Sequence, residues 1–219
     1  MKKKVFFFYA HQDDESGTFK LIDDSIKSGK EVFCIYATTG LLTNPRKNIR
    51  NQESIKVLQR LKIKYKNIIF AGTILDIKVN QLSNNLEKFH KYINKKINKK
   101  DILYVPAWEG GQPDHDCLHS VIVNIGKKFN YLKNVYQYPL YNNKNCYLNF
   151  FKVLNPLSEN GEVKKIRINF YDRLRYISLF LKYPSQLTSW IGLFPFFFIK
   201  ILFLGNQYIQ KTKFKRILE

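Results

Sequence analysis

The sequence predicts an α/β fold: a mostly parallel sheet with helices on both faces. Short, wholly apolar runs such as Val5–Ala10 alternate with amphipathic stretches through the first 140 residues. Strands covered on both faces read as continuous apolar runs of this kind. Regular strand-helix alternation implies right-handed crossovers between parallel strands. With 219 residues, 45% hydrophobic and 25% charged, the chain can bury a sizeable core. That balance excludes disorder, collagen and small disulfide scaffolds.

The elements follow in order. Val5–Ala10 comes after Lys2, Lys3 and Lys4 but is too short for the apolar core of a signal peptide, so it reads as a buried strand. Phe19, Ile22 and Ile26 lie at helical spacing within Ser16–Ser28, with Gly29 as C-cap. Val32–Thr38 is the second strand. A polar loop with Gly40 and Pro45 leads to a helix over Arg50–Leu61. Ile68–Ala71 is a third strand, followed by a helix over 81–98 on Leu82, Leu86, Phe89 and Ile93. Ile102–Pro106 is a fourth strand, then a Gly-Gly loop, a helix over Asp116–Asn130 and a strand at Val135–Tyr138. Beyond Tyr138 the pattern changes. Cys146–Leu154 and Val163–Ile168 predict a hairpin across Pro156–Gly161, and Tyr171–Lys182 predicts a helix. The whole reads as one domain, an α/β core over 1–140 with a C-terminal elaboration over 141–219.

Charge and cysteines narrow the setting. Lys and Arg number 37 against 17 acidic residues, a net charge of +20. Such a surface attracts polyanions, although scattered lysines also fit a genome-wide Lys, Asn and Ile bias. No RNA-binding aromatic signature, zinc finger or helix-turn-helix pattern accompanies the charge, which argues against nucleic acid as partner. Cys34, Cys117 and Cys146 lie far apart without a C-x-x-C pair, which points to a reducing compartment and a cytoplasmic location. The aromatic stretch from Trp190 to Phe203 is broken by Pro195 and Lys200 and is short for a membrane span. It reads either as core or as an interfacial element beside Lys200, Lys211, Lys213, Lys215 and Arg216. The second reading gives peripheral attachment to an anionic membrane surface.

Two polar clusters each follow a predicted strand. One is Ala10-His11-Gln12-Asp13-Asp14-Glu15; the other runs from Trp108 through Gln112-Pro113-Asp114-His115-Asp116. In an open parallel sheet, ligands bind outside the carboxyl ends of the strands where strand order reverses. In the order 3-2-1-4-5, strands one and four flank that point and the two clusters face each other. His11 and Asp14, three apart on a tight turn, can aim an imidazole and a carboxylate at one point, and His115 adds a third ligand. Two histidines and a carboxylate with an open position form a catalytic zinc pattern. Asp13, beside Asp14, is placed to take a proton from the attacking water. The plainer alternative, that the acidic run merely caps a helix, does not account for so many ionisable groups gathered at buried strand ends.

Ala-His-x-Asp-Asp-Glu after an N-terminal strand, with x-Pro-Asp-His about a hundred residues later, resembles the LmbE-like (PIG-L) family of zinc-dependent N-acetylglucosaminyl deacetylases. The resemblance spans residues 3–140. It implies a Rossmann-like fold, zinc on His11, Asp14 and His115, Asp13 as general base, and an N-acetylated amino sugar as substrate. It further implies that Arg50, in Arg50-x-x-Glu53, helps hold the sugar, and that Asp114 orients a neighbouring ligand or loop. Gln12 stands where the family usually has proline. Gln112 stands where it usually has a histidine that stabilises the oxyanion; an amide can donate there but carries no charge. His119, His90 and Cys117 are expected to pack. Two alternatives stay open: a different zinc amidase or esterase, and a degenerate protein that binds anionic lipid.

Overall fold

The structure is a computed structural model that describes residues 2–41, 49–146, 151–186 and 193–212. The expected first strand is β1 (Lys4–Tyr9), and the sheet builds outward from it. β2 (Glu31–Tyr36) and β3 (Ile68–Phe70) add on one side, and β4 (Ile102–Pro106) and β5 (Val135–Tyr138) on the other, all parallel. Two antiparallel strands, β9 (Asn206–Lys211) and β8 (Val163–Arg167), complete a seven-stranded sheet of order β3-β2-β1-β4-β5-β9-β8. Strand order reverses between β1 and β4, paired as Val5↔Ile102 and Phe7↔Tyr104.

β1 is apolar at every position after Lys4 because both its faces are covered. Phe7 and Tyr9 pack beneath α1 (Phe19–Lys27), α2 (Ile49–Arg60) and α6 (Phe170–Phe180). Phe6 and Phe8 pack on the opposite side with residues of α3 (Ala71–Leu75), α4 (Leu86–Asn94) and α5 (Pro113–Lys128). Truncating any one of these phenylalanines to Ala removes contacts worth about 3–5 kcal/mol.

Several elements differ from expectation. The first helix begins as a 3-10 turn over Asp14–Thr18 before α1, and the helix expected over 81–98 shortens to Leu86–Asn94 behind a 3-10 turn. α3 was not foreseen; its Ala-Gly start is a weak helix signal. Among the described residues, the hairpin expected from Cys146–Leu154 and Val163–Ile168 does not form. Lys152–Val153 (β7) instead pairs antiparallel with Tyr141–Asn142 (β6), while β8 pairs with β9. Local turn residues between Pro156 and Gly161 favoured a hairpin, but the partner of β8 is the distant strand Asn206–Lys211.

The C-terminal segment packs in part as core. Trp190–Gly192 and Lys213–Arg216 lie outside the described residues, as do Pro45 and 147–150. Phe194–Ile199 (α7) continues as a π turn over Lys200–Leu204 and leads directly into β9. Phe197 and Ile201 are buried in the core. Residues 206–211 are therefore part of the sheet. Strand β9 escaped the sequence reading because three of its four buried side chains, Asn206, Gln207 and Gln210, are amides, and only Ile209 is apolar. Gln207 donates to the Gly17 carbonyl and accepts the Leu21 N–H at 3.0 Å. Gln210 donates to the Leu157 and Gly161 carbonyls at 2.8 and 2.7 Å.

Gln207 thus satisfies two backbone groups at the start of α1. Gln207→Ala leaves both unpaired, at about 1–3 kcal/mol for each buried group. The expected outcome in urea denaturation is a loss of at least about 2 kcal/mol with an unchanged slope; a loss below half of that contradicts the clamp.

Candidate metal centre and active site

The turn after β1 carries His11, Gln12, Asp13 and Asp14 across the end of the sheet. The His11 N–H donates to Asp14 Oδ2 at 2.8 Å, folding the turn back on itself. On the facing loop, Pro113 opens α5 and Gln112 is its N-cap, with Oε1 accepting the His115 N–H at 3.0 Å. A fixed proline φ at N1 and a side-chain cap set the first helical turn, and that turn aims His115 at the crevice.

The two loops meet reciprocally. His115 Nε2 lies 3.2 Å from both oxygens of Asp14. His11 Nε2 lies 3.0 Å from Asp114 Oδ2. One ligand atom each from His11, Asp14 and His115 lie within 4.8 Å of one another, and all three residues are buried. Asp114 also accepts the Asn80 N–H at 2.7 Å and the Leu82 N–H at 3.2 Å, so its carboxylate is fixed before it meets His11. With Nε2 engaged by Asp114, His11 has Nδ1 left, and that atom lies 3.9 Å from Asp14 Oδ2. A carboxylate that fixes the tautomer of a ligating imidazole is a common arrangement around metals. Two imidazoles and a carboxylate are also a donor set that suits zinc.

Asp13 adopts φ 107° and ψ −22°, a left-handed conformation that non-glycine residues rarely take. Its carboxylate reaches Arg50 Nη2 at 3.2 Å. Arg50 itself donates to the carbonyls of Gly40 at 2.6 Å and Gln12 at 2.5 Å. Its guanidinium is therefore built into the wall as well as exposed to the crevice. Glu53, one turn on from Arg50, is buried and accepts the Ser185 N–H and hydroxyl.

These groups open on a cavity of about 280 Å³. His11, Asp13, Asp14, Arg50 and Gln112 form its polar end. Leu154, Phe180, Leu193 and Phe197 form an apolar wall, and Phe180 stacks on Phe197 at 4.1 Å between ring centroids. Sequence reasoning missed this wall and Tyr141, whose ring packs edge-to-face with His115 at 5.5 Å between ring centroids. It also gave no role to Glu109, which accepts the N–H groups of Leu140 and Tyr141. No local motif marks these residues; only the fold brings them in. Gln112 Nε2 lies 3.3 Å from Asn80 Oδ1 and 3.4 Å from His11 Nε2, at the cavity edge. His119 does not line the cavity: its Nδ1 bonds the Pro106 carbonyl at 2.8 Å and its ring packs against Trp108. Cys117 packs against the core on the α5 side.

Both polar clusters fall inside residues 6–125, which match the family model described as PIG-L, GlcNAc-PI de-N-acetylase. The chain belongs to the PIG-L family. It is accordingly an enzyme of the deacetylase class. No curated protein matches this PIG-L chain significantly. Among solved structures it is similar to the zinc-inhibited form of the teicoplanin deacetylase Orf2. The two share 14% identity and a TM-score of 0.68 over 97% of this chain and 100% of that one. It is also similar to the N,N'-diacetylchitobiose deacetylase of Pyrococcus horikoshii, at 16% identity and a TM-score of 0.60, covering 96% and 83% of the two chains. The 4-carboxy-2-hydroxymuconate hydratase GalB of Pseudomonas putida shares the fold more distantly, at 10% identity and a TM-score of 0.51 over 89% and 81%. One architecture thus carries different chemistries, and function lies in the site.

The electrostatics of this PIG-L site set its pH behaviour. Burial works to raise the Asp14 carboxyl, but the charge and hydrogen bond of His115, with help from His11, outweigh it and hold the group at about 2. Burial works to lower His115, yet Asp14 raises it above its ordinary 6.5. A depressed carboxyl stabilises the fold above its ordinary 3.8 and loses that share as pH falls toward 2. A raised imidazole stabilises below 6.5 and loses its share as pH rises through its folded value. In chelator, the pair's share of the melting temperature, read as wild type minus His115→Asn, should therefore plateau between these limits and fall on both sides. If that difference stays level as pH rises, the pair does not cause the alkaline loss.

Proposed function

We propose that this chain hydrolyses the acetyl group from an N-acetylglucosamine-type sugar, with zinc held by His11, Asp14 and His115. The observation that carries this is the convergence of these three side chains within 4.8 Å, next to Asp13 on the wall of one cavity. Zinc held there polarises an amide carbonyl and lowers the pKa of water toward neutrality. Asp13 takes the proton of the attacking water and hands it to the leaving nitrogen, giving acetate and a free amine. Arg50, 3.2 Å from Asp13, steadies that carboxylate and lines the cavity where the sugar binds. The Gln112 amide N–H donates to the developing oxyanion. Asp114 keeps His11 in the ligating tautomer.

The apolar wall supports a sugar joined to an apolar group. Peripheral attachment to an anionic membrane fits the same reading, since Phe196, Ile199 and Phe203 expose their rings and alkyl groups on α7 and the turn after it. No helix among the described residues is long and apolar enough to cross a membrane. We take residues 1–219 as one unit, with 141–219 completing the sheet and the wall.

The test is metal analysis of purified protein followed by acetate release from free, nucleotide-linked and lipid-linked N-acetylglucosaminyl compounds. His11→Ala, Asp14→Ala and His115→Ala should each lose zinc and activity together. Asp13→Asn should keep zinc and lose turnover, because it removes a base and not a ligand. Loss of zinc from Asp13→Asn overturns the division of labour between the paired aspartates.

Gln112 needs a substitution that preserves its cap. Gln112→Glu retains an oxygen for the His115 N–H but removes the donor and adds negative charge. With about 2.7–4 kcal/mol at stake for one oxyanion donor, kcat should fall at least about a hundredfold while the melting temperature holds. An unchanged kcat shows that the amide does not reach the oxyanion.

A further inference from the structure

We propose that Tyr183, which lies outside the family match, is a positioning residue that aims Asp13 through the buried carboxylate of Glu15. The inference rests on Asp13 being the general base. A left-handed aspartate persists only where its surroundings over-determine it. Three contacts do so here. The Asp13 carbonyl accepts the Ser16 N–H at 3.0 Å. Its carboxylate meets Arg50. Its N–H donates to Glu15 Oε2 at 2.9 Å.

Glu15 is fully buried, so its direction depends on what holds its other oxygen. That oxygen, Oε1, accepts the Tyr183 hydroxyl at 2.5 Å. Tyr183 is itself fully buried and sits just before the 3-10 turn Pro184–Gln186. The turn is anchored separately, through Ser185, to Glu53 on α2, at 2.9 Å from its N–H and 2.5 Å from its hydroxyl. A residue from the C-terminal elaboration thereby reaches across 168 positions of sequence to set the backbone of the base. Without the hydroxyl, Glu15 loses the strongest of the side-chain donors that fix it and keeps only the Ser54 and Tyr36 hydroxyls, so the Asp13 N–H has a less firmly held acceptor and the strained turn relaxes. The zinc ligands are held by contacts that do not involve Tyr183, so metal binding is expected to survive.

Tyr183→Phe removes one oxygen and should lower kcat for acetate release between about ten- and a hundredfold, the range for a misplaced catalytic group. KM and zinc content should hold. Amide exchange at Asp13 should accelerate. Ser185→Ala, which loosens the same turn without touching Glu15, should lower the melting temperature but leave kcat and Asp13 exchange unchanged. In the Asp13→Asn background, Tyr183→Phe should cause no further fall in residual single-turnover rate, because partners acting through one group do not add. If Tyr183→Phe proves too unstable to purify, Glu15→Gln takes its place, since an amide cannot accept at both positions. Full activity in Tyr183→Phe with an inactive Asp13→Asn overturns the positioning role alone, as does a multiplied loss in the double variant. Full activity in Asp13→Asn overturns the base assignment and the positioning role with it.

Discussion

The parallel pairing of β1 with β4 is the constraint on which the site depends. Neighbouring parallel strands leave the sheet in the same direction, so the loops after them emerge side by side. Each loop here contributes one histidine and one aspartate, and each pair forms across the gap: Asp14 with His115, and His11 with Asp114. These contacts span 101 and 103 positions of sequence. Neither loop could build the donor set alone. A displacement between β1 and β4 would break both pairs at once. The phenylalanines that lock β1 into two cores therefore serve the chemistry as directly as the ligands do.

Four carboxylates lie buried around the crevice, and they divide by what they face. Asp14 and Asp114 pair with imidazoles and are held below the usual carboxylate range, although burial pulls the other way. Glu15 and Glu109 meet neutral donors, and burial raises both, Glu109 to about 7. The first pair is kept ionised and suits cation binding. The second pair works structurally. Glu109 gathers the Leu140 and Tyr141 N–H groups and the Asn142 amide, and Glu15 gathers the Asp13 N–H and the Tyr183 hydroxyl. Both ties run from the α/β core to the segment beyond β5, so the C-terminal elaboration is fastened to the site by buried polar bonds as well as by packing.

Legibility in the sequence followed the range of the forces involved. Val5–Ala10 was readable because a strand covered on both faces needs apolar residues at every position. His11, Asp13, Asp14 and His115 were readable because the turn chemistry that aims them is local to each loop. β9 was hidden, since Gln207 and Gln210 bury amides against backbone groups and leave no apolar alternation. The hairpin was misread because turn residues are local and the partner of β8 is not. The same limit hid Leu154, Phe180 and Phe197, whose meeting at the cavity depends on where the completed sheet sends the chain.

Gln12 shows how a departure from the family pattern is absorbed. A proline in the turn would stiffen it covalently. Gln12 is fully buried and stiffens it through hydrogen bonds instead. Its Nε2 donates to Asn51 Oδ1 at 2.5 Å and approaches the Thr38 carbonyl at 3.4 Å, tying the turn to α2 and to the end of β2. The longer side chain needs space, and Gly40 provides it. A Cβ on Gly40 would lie 1.8 Å from Gln12 Oε1, and the backbone there is left-handed at φ 71°. That same glycine offers its carbonyl to Arg50. Gln12, Gly40 and Arg50 therefore form one packed unit beside Asp13, and restoring proline at position 12 alone would open a void beneath the arginine. The tie to Asn51 would be lost along with it, so the turn would gain local stiffness while losing its registration against α2.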